Sequence, residues 1–314
     1  MAAMEITAAE LKPLLRELNQ AEAVAVVPMT GGTSPTWRLD LADGEQLVFK
    51  AYAGAARWRD GKEAFAAAQL EALPIPVTRY LLIDDSGARL PYAFAIANYL
   101  PGATLKSLAG HPDTASAFRQ VGALLRQLHG VRMPAYGAFG ANGIVEPLAT
   151  NVASVRQRIE SAFPQFERQG ADPALASRLR RIVDARFDSI VPHSPGAVFA
   201  HDDLHPNNVL FVERADRRLE LSGLIDFGNA RAADAVSDLA KCLFCSAHDM
   251  PGCMPAILSG YGPIEHPDPE GALWFYTLLH RVTMWSWLRH VGILASPDAP
   301  IDLIDDLREM AEAA

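Results

Sequence analysis

The sequence has little cysteine and no run of basic residues, and these two absences argue against several classes of function. Only three of its 314 residues are cysteines, and the formal net charge is −9. Lys and Arg are not clustered, so a nucleic-acid groove or an anionic-membrane patch finds little support. The acidity suits a cationic small molecule, although it is also common for plain solubility.

The three cysteines do not predict a metal site. Cys242, Cys245 and Cys253 are an odd number, and only the first two have the CxxC spacing. No second CxxC or pair of histidines lies nearby, which argues against structural zinc. The run CLFC follows a helical pattern, so we expect inert thiols in a core.

Long apolar runs that could cross a membrane are also missing. The first ten residues, MAAMEITAAE, lack a basic segment followed by an apolar one, so no signal peptide is predicted. The most apolar late stretch, ALWFYTLLHRVTMWSWLRHVGILA, is interrupted by His280, Arg281, Arg289 and His290. We expect a cytoplasmic protein without a nucleic-acid or membrane partner, either a monomer or a dimer.

The first third of the chain alternates strand and hairpin signals. Thr7 and Glu10 form a capping-box signature that predicts a helix through LKPLLREL. The runs AVAVVPM, TWRLDL and QLVFKAY predict strands, and ADGE between the last two predicts a hairpin. RDGKEAFAAAQLEAL predicts a helix that ends before LPIPV. TRYLLID and PYAFAIANY predict a second hairpin.

From residue 100 onward helical patterns such as TASAFRQVGALLRQLHG dominate, interrupted by one predicted strand pair. The expected fold class is α+β. A small, mostly antiparallel-sheet lobe with one main helix would span residues 1–99, and a larger, mostly helical lobe would span residues 100–314. A short connector near Asn98–Gly102 would join them.

The stretch AHDDLHPNNVLF, residues 200–211, is strongly polar although it lies between two apolar strand patterns. Polar groups held between buried strands need partners or a purpose. Asp203 is followed five residues later by Asn208, and Asp226 follows eighteen residues after that, in LIDFGNA. Phosphoryl transfer from ATP requires a carboxylate that handles the attacking hydroxyl and oxygen ligands for magnesium. This order and spacing predict such a set.

Two upstream features fit the same chemistry. Lys50 lies inside the apolar strand QLVFKAY, where its ammonium needs a carboxylate, and Glu63 in the following helix is the best candidate. A lysine whose stem runs along the sheet edge is the alternative. The turn in MTGGTSPTWRL could bring N–H groups to phosphate oxygens, although most glycine-containing turns only reverse the chain.

The sequence resembles the aminoglycoside phosphotransferase and choline kinase group of small-molecule kinases, which share the protein-kinase-like fold. HDDLHPNNVLF and LIDFGNARAADAVSDLAK resemble the catalytic and metal loops of that group, and LPIPV, NYLPGATL and LLRQLHG resemble its other landmarks. The resemblance runs from about Ala23 to the helix after Asp238. The C-terminal third is similar only in its helical character.

The resemblance implies a nucleotide and metal site. Lys50 would hold the phosphates of ATP or GTP, with Glu63 positioning it, and Asn208 and Asp226 would bind Mg²⁺. The remaining residues that would contact the nucleotide are Gly32 and Ser34 in the turn, and the main chain of Asn98, Tyr99 and Leu100 at the adenine.

The resemblance also implies roles within the catalytic loop. Asp203 would orient or deprotonate the acceptor hydroxyl, His201 would brace the loop, and Asp238 would hold it from the following helix. His205 could place a cation near the γ-phosphate or only cap the turn. Asp202 stands where relatives often have glycine, and we expect its carboxylate to point to solvent.

The leading hypothesis is an ATP-dependent kinase of a small-molecule hydroxyl. A metal-dependent hydrolase using His201, Asp203 and His205 is one alternative, and a non-catalytic nucleotide-binding pseudokinase is another. The hydrolase hypothesis does not explain why Lys50, Glu63 and the Asp-Phe-Gly sequence are present. The pseudokinase hypothesis does not explain why Asp203, Asn208 and Asp226 are all present.

The acceptor is left open between antibiotics, choline-like amines, amino alcohols and sugars. YGAFGANG resembles a stretch of hygromycin-type phosphotransferases, so antibiotic resistance is one candidate role. An aromatic helix could wall a substrate cleft or belong to the core; its residues are Trp274, Phe275, Tyr276, Trp285 and Trp287. The last helix could attract a polycation or be an amphipathic surface helix; its acidic residues are Asp302, Asp305, Asp306 and Glu309.

Overall fold

The computed structural model describes residues 6–29, 34–52, 60–295 and 302–313. These residues form α-helices and antiparallel sheets, as expected for an α+β protein. They group into two compact units that are interleaved along the chain. The first unit contains Met1–Ala117, Phe139–Gly143 and Pro206–Ala230, and the second contains Phe118–Ala138, Ile144–His205 and Arg231–Ala314. The division of the chain into 1–99 and 100–314 stays a prediction.

The first unit contains a five-stranded antiparallel sheet with the order β1-β2-β3-β5-β4. Its strands are β1 (Ala23–Met29), β2 (Thr36–Leu41), β3 (Gln46–Tyr52), β4 (Tyr80–Asp84) and β5 (Ala93–Asn98). Two helices accompany the sheet, α1 (Ala8–Glu17) and α2 (Asp60–Ala68). Both predicted hairpins are therefore confirmed.

Alternation along the strands builds the core of this unit. Leu39 and Phe49 are fully buried and belong to one apolar cluster with Leu11 of α1. The predicted capping box is present, because Thr7 Oγ1 accepts the Glu10 N–H and the Glu10 carboxylate accepts the Thr7 N–H. Helix α1 is thus fixed at its start by its own sequence.

Helix α2 is shorter than the sequence predicts. It ends at Ala68, whereas the helical composition continues through Leu73. Beyond the helix, the N–H groups of Gln69 and Leu70 bond to carbonyls only three residues back. The chain is therefore already turning before Pro74.

A second sheet in the first unit carries the start of the metal loop. Its strands are β6 (Ala103–Thr104), β10 (Val209–Glu213) and β11 (Leu219–Leu224), in the order β11-β10-β6. Gly102 precedes β6 with φ +120, and a Cβ there would lie 2.6 Å from the Phe211 carbonyl oxygen. Only glycine fits this close approach.

The second unit contains most of α3 (Thr114–Leu128) and six further helices. These are α4 (Asn151–Arg168), α5 (Pro173–Ile190), α6 (Ala235–Asp249), α7 (Met254–Tyr261), α8 (Pro269–His290) and α9 (Asp302–Ala313). A four-stranded sheet with the order β8-β7-β12-β9 accompanies them. Its strands are β7 (Tyr136–Gly140), β8 (Gly143–Leu148), β9 (Val198–Ala200) and β12 (Arg231–Ala233).

The expectation of a single strand pair in the later part of the chain is wrong. The segment YGAFGANG belongs to β7 and β8, and β12 is a third strand that the sequence did not predict. β7 (YGAFG) and β12 (RAA) are short and rich in Gly and Ala, and β8 (GIVEPL) contains a proline, so none of the three has the apolar alternation that predicts strands. At Gly137, with φ +147, a Cβ would lie 2.8 Å from the Ile144 side chain.

The aromatic helix α8 belongs mainly to the core of the second unit. Phe275, Tyr276 and Trp285 are buried, and the Trp285 ring packs edge-on against Phe166 at 4.8 Å between centroids. Trp287 is 45 % exposed. The core interpretation of this stripe therefore holds for most of its members.

The last helix, α9, is amphipathic. Leu303 and Leu307 are buried in the same core, and on the polar side Asp306 pairs with Arg281 at 2.7 Å. Asp305 pairs with Arg308 of its own helix. Asp305 and Asp306 therefore fit the surface-helix interpretation.

All three cysteines are free thiols, with Cys242 and Cys253 buried and Cys245 half-buried. Burial raises the pKa of the Cys245 thiol to about 12 and that of Cys253 to about 11. Over the described ranges, no helix has the length and apolar character needed to span a membrane.

Candidate active site

In the first unit, strand β3 and helix α2 bring Lys50 and Glu63 together. Lys50 lies in the middle of β3, paired with Ala95 of β5. Its Nζ lies 2.8 Å from each carboxylate oxygen of Glu63, whose side chain is completely buried. A buried carboxylate is tolerated only when it is paired and hydrogen-bonded, and this ion pair meets that condition.

Two tyrosines complete the environment of Glu63. The hydroxyls of Tyr52 and Tyr80 donate to Glu63 Oε2 at 2.9 and 2.7 Å. Burial, together with the charge of Glu63, raises the pKa of Tyr80 well above its ordinary value, so this hydroxyl stays a donor. Glu63 is therefore fixed in position, and the ammonium of Lys50 is fixed with it.

The metal-loop aspartate lies beside the same lysine. Asp226 Oδ1 is 3.9 Å from Lys50 Nζ and accepts the Gly228 N–H at 3.3 Å. Asp226 has φ +63, a left-handed conformation that non-glycine residues rarely adopt. Such strained residues are concentrated at functional sites.

Strands β10 and β11 place Asn208 next to this aspartate. The Ile225 N–H donates to the Asn208 carbonyl at 3.1 Å, which continues the pairing of Val209 with Leu224. Asn208 and Asp226 therefore end the same two-stranded ladder on adjacent strands. A carboxylate and an amide oxygen at one sheet end are ligands of the type that Mg²⁺ prefers, so the residues present fit this ion.

The turn before β2 is described only in part. Gly32 lies outside the described residues. Ser34 is buried, and its Oγ has no hydrogen-bond partner among the residues that are described, while its carbonyl accepts from Thr36 Oγ1 at 3.0 Å. A buried hydroxyl in this situation is suited to a ligand oxygen.

The segment predicted to receive adenine follows β5. The N–H of Asn98 donates to the Arg79 carbonyl at 3.0 Å, and the N–H of Tyr99 donates to the Gln46 carbonyl at 3.3 Å. Both donors are thus used within the sheet. If adenine binds at this segment, its contacts would be with Leu100 and with main-chain carbonyls.

In the second unit, Asp238 holds the start of the catalytic loop. Its Oδ2 accepts the His201 N–H at 2.9 Å and its Oδ1 accepts the Asp202 N–H at 2.8 Å. The ring of His129 donates to Oδ2 through Nε2 at 3.1 Å, and its Nδ1 lies 2.8 Å from the Tyr261 hydroxyl. Asp238 is 1 % exposed, so these charge-assisted bonds are formed away from water.

Lys241 joins the two neighbouring aspartates of the loop. Its Nζ lies 3.8 Å from Asp202 Oδ1 and 3.7 Å from Asp203 Oδ1, and it donates to the main-chain carbonyl of Asp202. Burial alone would lower the pKa of Lys241, but the charges of Asp202 and Asp203 raise it above its usual value. Helix α6 therefore places a positive charge beside Asp203.

The expectation that Asp202 points to solvent is wrong. Its side chain is only 20 % exposed, and it lines a polar pocket of the second unit. Burial opposes ionisation of this carboxyl, but Lys241 and the arginines Arg158 and Arg231 outweigh it and lower the pKa of Asp202 to about 2. With a φ of +53, Asp202 has a left-handed backbone conformation, so its side chain points in a different direction from that of a residue in an extended strand.

His205 forms a pair with an acidic residue at the end of α6. Its Nδ1 lies 3.1 Å from Asp249 Oδ2. A carboxylate at Nδ1 fixes the imidazole ring and places the proton on that nitrogen, which orients Nε2 outward from the pair. This geometry is compatible with either role that the sequence left open for His205.

The hydrolase alternative finds no support in this geometry. Across the described ranges, no group of three or more His, Cys, Asp or Glu side chains is arranged to bind one metal ion. His205 is paired with Asp249, and the His201 main chain is bonded to Asp238. The three residues that this alternative requires are therefore not assembled as a ligand set.

Several residues of the site were missed by reasoning from sequence. Lys241 had a usable signal, because it follows Asp238 by three residues on one helix and so lies on the same face. His129 had a weaker one in LLRQLHG. Arg158 and His280 had none, since each stands in an ordinary helical pattern.

The sequence profile described as "Phosphotransferase enzyme family" matches residues 25–275. No curated protein matches the chain. A crystal structure of the aminoglycoside phosphotransferase APH(4)-Ia has a TM-score of 0.71 at 19 % identity and covers 98 % of each chain. The structure of a thermostable mutant of that enzyme in complex with ADP and hygromycin B has a TM-score of 0.71 at 18 % identity. It covers 98 % of this chain and 97 % of its own. The structure of the macrolide 2′-phosphotransferase MphH from Brachybacterium faecium has a TM-score of 0.64 at 17 % identity. The match covers 98 % of this chain and 97 % of MphH.

Proposed function

This chain belongs to the phosphotransferase enzyme family, and we propose that it transfers the γ-phosphate of ATP to a hydroxyl of a small molecule. The observation that carries the proposal is the fixed Lys50–Glu63 pair with Asp226 Oδ1 3.9 Å from the lysine. A cation held by a buried carboxylate beside a metal-ligating oxygen is the arrangement that phosphoryl transfer uses. A structure similar to this chain contains ADP, which supports a nucleotide substrate.

In this mechanism the nucleotide residues act mainly by position and charge. Lys50 donates hydrogen bonds to the α- and β-phosphates, and Glu63 prevents it from moving toward solvent. Ser34 offers its buried hydroxyl to a phosphate oxygen, and the chain around Leu100 contacts the base. GTP would meet the same groups at its phosphates.

Asn208 and Asp226 would hold Mg²⁺. When bound, the ion neutralises charge that develops on the transferred phosphoryl group. The residues of the chain prepare this site, because the strand pairing at Ile225 fixes Asn208 and the left-handed backbone aims Asp226.

Asp203 would act on the acceptor. As the acceptor oxygen forms its bond to phosphorus and the bond from phosphorus to the β-phosphate oxygen breaks, the hydroxyl proton passes toward the Asp203 carboxylate. Lys241 Nζ, 3.7 Å from Asp203 Oδ1, orients this carboxylate. Asp238 positions the loop through the main chain of His201 and Asp202, and Asp249 positions the ring of His205.

The proposal includes the two-lobed arrangement of protein-kinase-like enzymes, with residues 1–99 for nucleotide and 100–314 for catalysis and acceptor. It includes magnesium as the metal. An aminoglycoside-type acceptor is a candidate because the net charge is −9 and a similar structure contains hygromycin B. Other hydroxyl acceptors are tested beside it.

The test is a coupled ADP-release assay with Mg·ATP across aminoglycosides including hygromycin B, macrolides, choline, homoserine and sugars. Acceptor-dependent release should fall at least about 100-fold in Asp203→Asn, the usual effect of losing a general base. Asp216→Asn, an exposed aspartate on the β10–β11 turn, serves as the matched control.

Calorimetric titration of ATP into each variant separates binding from turnover. Unchanged ATP affinity with lost turnover in Asp203→Asn supports the assignment. Full activity of that variant would contradict it. Nucleotide binding without turnover by the unmodified protein on any acceptor would favour a pseudokinase, and bound zinc with hydrolysis of a substrate would favour the hydrolase.

A further inference from the structure

A polar pocket in the second unit begins one residue before Asp203 and is not used by the mechanism above. Helices α4, α6 and α8 and strand β12 form its walls. The charged side chains that line it are Arg158, Asp202, Arg231 and Asp234, and the neutral polar ones are Asn151, Ser154, Ser237 and Tyr276.

Two arginines of this pocket have no carboxylate of their own. Within the described ranges, the guanidinium of Arg158 bonds to two neutral groups, Ser237 Oγ at 3.4 Å and His280 Nδ1 at 2.8 Å. The Nε of Arg231 is buried and lacks a hydrogen-bond partner within the described part of the chain. Among those same residues, neither guanidinium has a carboxylate within 4.0 Å.

His280 does not neutralise the charge of Arg158. Its Nε2 lies 2.8 Å from the Ser237 carbonyl and donates to it, so Nδ1 accepts the hydrogen bond from Arg158. Burial, and next the charge of Arg158, lower the pKa of His280 well below its ordinary value. The imidazole is therefore neutral and fixed in one tautomer. Burial lowers the pKa of Arg158 to about 10, so the guanidinium remains charged at neutral pH.

The two carboxylates in the pocket already have partners. Asp202 faces Lys241 at 3.8 Å. Asp234 caps α6, with Oδ1 accepting the N–H groups of Val236 and Ser237 at 2.7 and 3.3 Å. The positive charge of the two arginines is thus not cancelled by direct contact with either acid.

We propose that this pocket binds an oxyanion, a carboxylate or a phosphate group, of the acceptor molecule, through Arg158 and Arg231. Guanidinium groups match the geometry of these anions and form paired hydrogen bonds with them. The inference rests on the proposed kinase function, and it assigns the acceptor class as a hydroxyl compound that also carries a negative group.

For a group bound inside the pocket, the charge of the pocket selects the acceptor, and the net charge of the chain does not. Contacts within a few ångströms of buried charges outweigh the screened field of the whole surface. An ammonium group placed against Arg158 and Arg231 would be repelled. Polycations such as aminoglycosides are therefore expected to be poorer acceptors than hydroxy acids of similar size.

The first arm of the test measures ADP release with a matched set of acceptors: gluconate, glucose, glucosamine and glucose 6-phosphate, with hygromycin B beside them. The proposal predicts a KM at least about tenfold lower for an anionic member than for its neutral or amine counterpart. Arg231→Gln should raise the KM for the anionic acceptor by about 10- to 100-fold and leave the KM for ATP unchanged. Arg178→Gln, an exposed arginine of α5, is the control.

The second arm does not need turnover. The midpoint of thermal unfolding is followed with increasing inorganic phosphate or acetate, at constant ionic strength and with Mg·ADP saturating the nucleotide site. Stabilisation over chloride should occur in the unmodified protein and in Arg178→Gln, and be lost in Arg231→Gln and in Arg158→Gln. Phosphate and acetate together distinguish the two kinds of oxyanion. Arg231→Lys should restore part of the effect, because it retains the charge.

The outcomes separate this inference from the proposed function. Equal stabilisation by both anions in the unmodified protein and in Arg231→Gln, or preference for amine acceptors, would overturn the oxyanion site. Failure of every acceptor and of nucleotide binding, with phosphate stabilisation still lost in Arg231→Gln, would contradict the kinase and retain the oxyanion site.

Discussion

Replacing Asp238 by Asn should separate the support of the catalytic loop from the chemistry of Asp203. Asp238 accepts three hydrogen bonds, from the main chain of His201 and Asp202 and from the ring of His129, and it is 1 % exposed. An asparagine keeps one accepting oxygen and turns an NH₂ group toward a buried N–H. At least one charge-assisted bond is lost, and one buried donor is left without an acceptor.

The magnitude follows from these contacts. A hydrogen bond to a charged group contributes about 1.5–3 kcal/mol, and a buried unsatisfied donor costs about 1–3 kcal/mol, with overlap between the two effects. We expect a loss of about 2–4 kcal/mol in the free energy of unfolding of Asp238→Asn. That corresponds to a fall of roughly 5–15 °C in the unfolding midpoint for a domain of this size.

Asp234→Asn is the matched control, because Asp234 is also buried and is the N-cap of the same helix. Its Oδ1 alone accepts the N–H groups of Val236 and Ser237, and asparagine caps helices as well as aspartate does. Thermal unfolding of the two variants, with ADP release measured beside it, tests the difference. Equal midpoints for Asp238→Asn and Asp234→Asn would refute the reasoning.

Three further results are expected. Tyr80→Phe removes the 2.7 Å hydrogen bond to buried Glu63 and should cost about 1–3 kcal/mol in thermal unfolding while raising the KM for ATP; an unchanged midpoint would contradict the role of this bond. At pH 8 the thiol of Cys245, with its pKa raised to about 12, should react with iodoacetamide roughly 1,000-fold more slowly than in the urea-unfolded chain, as followed by mass spectrometry; comparable rates would contradict its burial. The pKa of Asp202 is lowered to about 2, so its charge stabilises the fold above the unfolded-state pKa near ~4, and this stability is lost as the pH falls through 2. Asp202→Asn should therefore be about 2 kcal/mol less stable than the unmodified protein in urea unfolding at pH 7, with a smaller difference at pH 3; equal stability at pH 7 would argue against the lowered pKa.

Elements whose signals are local were predictable from the sequence. The capping box at Thr7, the hairpin at residues 42–45 and the first three strands are fixed by near neighbours, because turn chemistry and alternation act over a few residues. Strands β7 and β12 were missed because Gly and Ala carry no such alternation, and β8 was missed because GIVEPL lacks it too and contains Pro147. Strand β12 forms because β7 and β9, both distant in the chain, pair with it on either side.

The candidate site shows the same limit. Lys50, Glu63, Asn208 and Asp226 were indicated by residue type and spacing, and the structure brings Lys50 to both Glu63 and Asp226. The direction of Asp202 could not be read, since it depends on a positive φ and on charges supplied by other elements.

The sequence by itself determined the order of the elements and the polar residues that phosphoryl transfer requires, because these depend on neighbours along the chain. Tertiary structure alone decided which charges meet. Arg158 and Arg231 lie 73 residues apart, yet they share one pocket with Asp202. His280, further along the chain, bonds to Arg158. Side-chain periodicity fixes which face of a helix is buried, but it does not specify which helix packs opposite, so the charge of a pocket emerges only on folding.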